Sequence, residues 1–136
     1  MRTLLIAAGL LAASSLSAYA QDARDRLPGT DILPKGTIQV SPVIPGMGEH
    51  WANPGDLPLG PIYCVHEGNV VCLEFMMSQE EFNSGKSWTD LAGVEGLPPV
   101  DHVNIDFEAN GHEGFEVPHY DVHLYFIDPA AQKAIK

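Results

Sequence analysis

A chain of 136 residues with 18 Asp and Glu against 7 Lys and Arg carries a formal net charge of −11. The length suffices for one domain with one core. The charge excludes nucleic acid and anionic membrane surfaces as partners, because affinity for either comes from Lys and Arg.

Met1 and Arg2 give a positive start, Leu4 to Ala13 is apolar, and Ala18-Tyr19-Ala20 puts small residues where a signal peptidase reads. The apolar run, about ten residues, is too short for a bilayer, which needs roughly 20. The pattern predicts a Sec-type signal over residues 1–20, cleaved after Ala20, and hence a periplasmic or secreted protein with no membrane span. An uncleaved amphipathic helix is the alternative. Residues 21–36 read as a flexible leader, 37–128 as a single β-rich domain and 129–136 as a C-terminal tail.

"GTIQV" (Gly36 to Val40) predicts the first strand. Ser41 to Pro61 contains five prolines, which cannot donate to a sheet ladder, so a long ordered loop or edge segments are expected. Ile62–His66 and Val70–Met76 form a hairpin around Glu67-Gly68-Asn69. A three-residue loop there sets Cys64 opposite Cys72, close enough for a disulfide, which an oxidising compartment favours over two free thiols. Ser78 with Glu81 is a capping box opening a short helix that Gly85 ends. A further turn is expected over Trp88 to Leu91.

"DHVNIDFE" alternates, with Val103, Ile105 and Phe107 expected inward and His102, Asn104, Asp106 and Glu108 on a wet face. "ANGHEGFEVP" connects to the final strand, His119 to Ile127. Asp128-Pro129 then reads as an N-cap with proline at the first helical position. Short strands, many turn residues and one brief helix predict an all-β fold with minor α: an antiparallel β-barrel or sandwich with one short helix and a short C-terminal helical tail.

The final strand carries the chemistry. In "PHYDVHLYF" Tyr120, Val122, Leu124 and Phe126 share one face, expected to be core. His119, Asp121 and His123 share the other. The second face continues into Tyr125 and Ile127, which points to an enclosed polar surface such as a barrel lumen. Imidazole and carboxylate are good ligands for first-row metals. Residues two apart on a strand lie about 6.6 Å apart and can converge on one ion, whereas four apart they lie about 13 Å apart. Asp121 with one histidine is therefore the easier pair. Further ligands are His50, in a Pro/Gly-rich loop beside Trp51, and Glu74, a lone carboxylate in an apolar strand. His112, in "NGHEG", sits on a loop able to close over a site.

The competing reading is a hydrogen-bond network in which Asp121 accepts from both histidines and no ion is held. Met76 and Met77 point to opposite faces, so packing outweighs copper binding for at least one of them. His66 and His102 receive no role. There is no phosphate-binding glycine loop, nucleophile elbow or HExxH helix. An acid–base role for Asp121 or Glu74 with a histidine stays open.

Taken together, "PGMGEHW", "GPIYCVHEGNVVCLEFM" and "LPPVDHVNIDFEANGHEGFEVPHYDVHLYFI" resemble a family of small exported bacterial β-domains without an assigned reaction, marked by MGxHW, EFM and PHxDxHxY. The resemblance covers Ser41 to Ile127. It implies a compact β-rich domain with oligomer formation open to it, and it carries over His50, Trp51, Glu74, His119, Asp121, His123 and Tyr125 as matching positions. The HxDxH strand is also a weak echo of cupin metal strands. Those place two histidines at i, i+2, where Asp stands here, and the departure weakens any dioxygenase or isomerase inference. Three functions are therefore expected in order. The first is a pocket binding a divalent metal (Zn, Cu, Fe or Mn are not distinguished) or a small molecule. The second is a metal-dependent hydrolase or oxygenase using that pocket. The third is a metal-free structural homo-oligomer.

Overall fold

The computed structural model describes residues 27–136. The expected signal segment and the first part of the leader lie outside the described residues. The chain builds one antiparallel sheet of six strands: β1 (Ile38–Gln39), β2 (Glu49–Ala52), β3 (Ile62–His66), β4 (Asn69–Ser78), β5 (His102–Glu108) and β6 (His119–Tyr125). Their order is β1-β2-β3-β4-β6-β5. Among the described residues two short α-helices accompany it, α1 (Gln79–Asn83) and α2 (Pro129–Ala134). The fold is all-β with minor α, as the sequence predicts.

Both helices begin where the sequence places them. Ser78 accepts from the Glu81 backbone N–H at 3.2 Å, and its hydroxyl donates to the Glu81 carboxylate. Asp128 accepts from Ala130 and Ala131 N–H at 2.9 and 2.8 Å, with Pro129 at the first position. Each cap is worth about 1 kcal/mol. The turn expected over Trp88 to Leu91 is absent; that stretch follows an irregular path with no helical turn.

The hairpin corrects one expectation and keeps another. Its loop is a two-residue turn, with Glu67 at φ 50° and Gly68 at φ 80°, the backbone that suits a twisted hairpin. His66 therefore faces Asn69 and Val65 faces Val70, and a bulge between Cys64 and Val65 then restores Cys64 opposite Cys72. One extra residue in the bulge replaces the extra residue expected in the loop. The disulfide Cys64–Cys72 is formed, with Cα atoms 4.9 Å apart.

Two further segments differ from expectation. Residues 27–36, expected as part of a flexible leader, dock on the hairpin. The Val70 N–H donates to the Pro28 carbonyl at 2.8 Å, and Leu27 and Leu33 pack on the core. Within the proline-rich stretch, β2 pairs with β3 and places His50 on a strand rather than in a loop. Gly48 makes this approach possible: its φ is +91°, and a Cβ there would collide with the Val65 carbonyl.

β3 and β4 are buried on both faces. On one face Tyr63, Val65, Leu73 and Phe75 form a core with Phe126, covered by Leu33, Val94 and Leu97. On the other, Cys64, Cys72, Tyr125, Ile127 and Ile135 pack together. On β6 the polar face is enclosed as expected: His119, Asp121, His123 and Tyr125 are exposed to only 0, 3, 0 and 1%. Of the expected core face, Phe126 is buried in the first core and Leu124 packs against it, but Tyr120, Val122 and Leu124 are only half-buried. β5 turns its apolar side outward, though none of its polar residues is buried. Val103, Ile105 and Phe107 are exposed to 51, 66 and 44%, and its polar set shares the face of the histidines. The reason is position: β5 is an edge strand, and no further layer among the described residues covers its apolar side. Residues following β1 (Val40, Ser41) and residues at and beyond the end of β5 (Glu108, Glu113) line one common cavity, so the sheet rolls around its polar face.

Candidate metal centre

That cavity has a volume of roughly 520 Å³, within the range of small-ligand sites. Its floor is set by register. Glu74 on β4 faces His123 on β6, and Met76 faces Asp121. Direct cross-strand partners share a face, so Glu74, Asp121 and His123 all point into the rolled side. β2 brings His50 to the same side through its pairing with Cys64.

The side chains gather into two groups rather than one. In the first, His50 Nε2 lies 3.5 Å from Glu74 Oε2, and His123 Nε2 lies 3.4 Å from Glu74 Oε1. In the second, His119 Nε2 lies 3.1 Å from Asp121 Oδ1, and His112 Nε2 lies 3.8 Å from Asp121 Oδ2. In each group the three donor atoms lie within 4.8 Å of one another. The pairing anticipated by strand geometry, Asp121 with one histidine, is found with His119; His123 turns to Glu74. The alternative network, Asp121 accepting from both histidines, is not formed. His50 Nε2, Glu74 Oε2, Asp121 Oδ1 and both His123 ring nitrogens are buried without a hydrogen-bond partner. Leaving such a group unsatisfied costs about 1–3 kcal/mol, so the floor is a set of donor atoms aimed at one another across short gaps.

The remaining expected residues divide. His112 lines the cavity. Tyr125 adjoins the floor: its ring stacks on His123 at 5.6 Å, and its hydroxyl donates to the Gly46 carbonyl at 3.1 Å. Burial pushes that phenol up to about 12. Trp51 does not line the pocket. It pairs with Tyr63 on the opposite face and packs into the other core, because it is one residue from His50 and strand side chains alternate. Asp106, which the sequence reading left on a wet face, stands 3.8 Å from His123 Nδ1. His102, given no role, stacks on Tyr125 at 4.8 Å.

A solved structure shares this fold. The crystal structure of hypothetical protein TTHB210 from Thermus thermophilus is similar at a TM-score of 0.62 and 28% identity, over 76% of this chain and 96% of that one. No protein-family model matches the chain, and no curated protein matches it.

Electrostatics follow from burial. Burial pushes the Asp121 carboxyl up to about 6, helped by the Glu74 carboxylate and opposed by the histidines. Burial lowers His50, with Glu74 opposing. In Glu74 burial acts upward, yet His123, His50 and His112 outweigh it and hold the carboxyl below its usual range. In His123 burial acts downward and is overcome by Glu74, Asp121 and Asp106, so its imidazole is raised. The shifts of His50 and Glu74 run toward the forms that ligate a metal, whereas the raised His123 would have to give up its proton on binding one.

Proposed function

We propose that this is an exported β-domain whose cavity binds a divalent transition metal through His50, Glu74 and His123. One observation carries the reading: two imidazoles and a carboxylate converge on the cavity floor, with His50 Nε2, Glu74 Oε2 and both His123 ring nitrogens buried and without hydrogen-bond partners. Their spacing supports it. Bonds of about 2.0–2.1 Å in a tetrahedral shell put neighbouring ligand atoms roughly 3.3 Å apart; His50 and His123 lie 3.5 and 3.4 Å from the two separate oxygens of Glu74. Two histidines with one carboxylate suit zinc or iron, and manganese and copper remain compatible. Three protein ligands beneath an open cavity leave coordination positions for a water or a small molecule, so a metal-dependent hydrolase or oxygenase is the catalytic extension of the same reading. The Cys64–Cys72 disulfide fits an oxidising compartment, and among the described residues no helix is long and apolar enough to cross a membrane.

The test is metal content. Protein purified without chelators is expected to carry transition metal, and Glu74→Gln, which keeps the shape and removes the charge, is expected to lose the equivalent bound at this group while retaining the fold by circular dichroism. A Glu74→Gln protein that keeps its full metal content overturns the assignment.

A second reading, assembly into a homo-oligomer, is favoured by the exposed apolar stripe of Val103, Ile105 and Phe107 on an edge strand. Monomeric proteins generally cover or charge such edges.

A further inference from the structure

The second donor group poses a problem of protons. His119 Nδ1 lies 2.7 Å from the Val117 carbonyl oxygen, and His112 Nδ1 lies 3.1 Å from the Glu113 carbonyl oxygen. A carbonyl only accepts, so each Nδ1 carries the hydrogen, and in the neutral ring each Nε2 is a bare lone pair. Those two Nε2 atoms face each other at 3.1 Å. Asp121 adds its carboxylate oxygens at 3.1 and 3.8 Å, one of them buried with no partner. With both rings neutral, three acceptors thus converge with no hydrogen between them, an arrangement that repels itself unless a metal ion or an added proton stands in the middle.

We propose that His112, His119 and Asp121 form a second divalent-metal site beside the first, so that the pocket takes two ions. The inference rests on reading this pocket as a metal-binding one and extends it to a donor set of its own. The backbone carbonyls do for these imidazoles what outer-shell acceptors do in metalloproteins: they fix the tautomer and aim Nε2 at the ion. The donor separations of 3.1, 3.1 and 3.8 Å bracket the roughly 3.3 Å of a tetrahedral shell. Charge points the same way. Glu74, Glu108, Glu113 and Asp121 line the cavity, and among the described residues no Lys or Arg lines it, leaving histidines as the lining groups able to offset them.

The two sites differ in access. His50, Glu74 and His123 are held on strands, with side chains 12, 1 and 0% exposed. In the second site His119 and Asp121 are buried, but His112 is 41% exposed on the β5–β6 connection. A tight turn shapes that connection: His112 and Phe115 exchange backbone hydrogen bonds at 3.2 and 2.9 Å. Gly111, at φ +66°, lies so close to Phe115 and Val117 that a Cβ would collide. The second ion is therefore the one nearer solvent, completed by a loop ligand, and is expected to exchange faster.

The experiment uses chelator-stripped protein titrated with Zn²⁺ by calorimetry, repeated with Co²⁺ and read by absorption. Wild type is expected to bind two equivalents. His112→Ala, on an exposed loop, is expected to bind one and to keep its circular dichroism; Glu74→Gln is expected to bind one, at the other site. In ¹⁵N spectra of labelled histidine, Zn²⁺ is expected to shift Nε2 of both His112 and His119. One equivalent in wild type, abolished by Glu74→Gln and untouched by His112→Ala, overturns the second site and leaves the first reading standing. One equivalent abolished by His112→Ala and untouched by Glu74→Gln keeps the second site and overturns the first. No binding in wild type removes both.

Discussion

Asp121 sits at the centre of the polar floor and is the residue whose behaviour should depend most on acidity. Its carboxyl is raised from 3.8 to about 6 by burial and by Glu74. An acid raised in the folded state favours the protonated form, so its contribution is fully present below about pH 4 and is lost as pH rises through 6. The difference is up to about 3 kcal/mol. In metal-free protein, Asp121→Asn should therefore gain stability relative to wild type at pH 7.5 but not at pH 4. Urea melts in chelator at both pH values measure this, and parallel wild-type and mutant profiles would contradict it. Much of this residue's setting was legible in the sequence. Period two placed His119, Asp121 and His123 on one face, and Tyr125 and Ile127 marked that face as enclosed. Their partition was not legible, because it depends on the β4–β6 register that sets Glu74 against His123. Asp106 offered the same alternation as β6, but nothing local says which side of "DHVNIDFE" the sheet will roll toward.

In the hairpin of β3 and β4 two different local geometries lead to the same cysteine pairing. Cys64 does face Cys72, yet through a two-residue turn plus a bulge, and local sequence does not separate that solution from a three-residue loop. The ring closed by this disulfide is short, with a sequence separation of 8, so the chain-entropy model gives under about 3 kcal/mol. Cys64→Ser with Cys72→Ser is expected to cost about 2–3 kcal/mol in urea unfolding and to leave metal stoichiometry intact, since neither sulfur belongs to a donor group. Loss of bound metal in that variant would show that the hairpin holds the floor in place. β2 was hidden for a different reason. Proline and glycine surround it, and its pairing with β1 and β3, the latter permitted by Gly48, makes a strand of residues that locally read as loop.

At the scale of the whole molecule, the rolled sheet turns the apolar side of β5 outward, while His102, Asn104 and Glu108 on its polar side are half-buried and Asp106 stays exposed. The alternation in β5 was correctly read, but its direction was assigned by hydrophobicity alone. A patch of this kind suits self-association by a shared face. Ile105→Lys, at the most exposed of the three positions, is expected to shift the protein to monomer by light scattering if the assembly reading holds; a wild type that is monomeric at high concentration ends that reading. The far end of the chain bears on the cavity as well. Ile135 is buried, and its carbonyl accepts from the Gly46 N–H at 3.1 Å. Gly46 also receives the Tyr125 hydroxyl and lies between Ile44 and Met47, both at the cavity wall. A pull transmitted through Ile135 would therefore bear on the pocket's own rim, so attachment beside that residue should be avoided when ligands are screened.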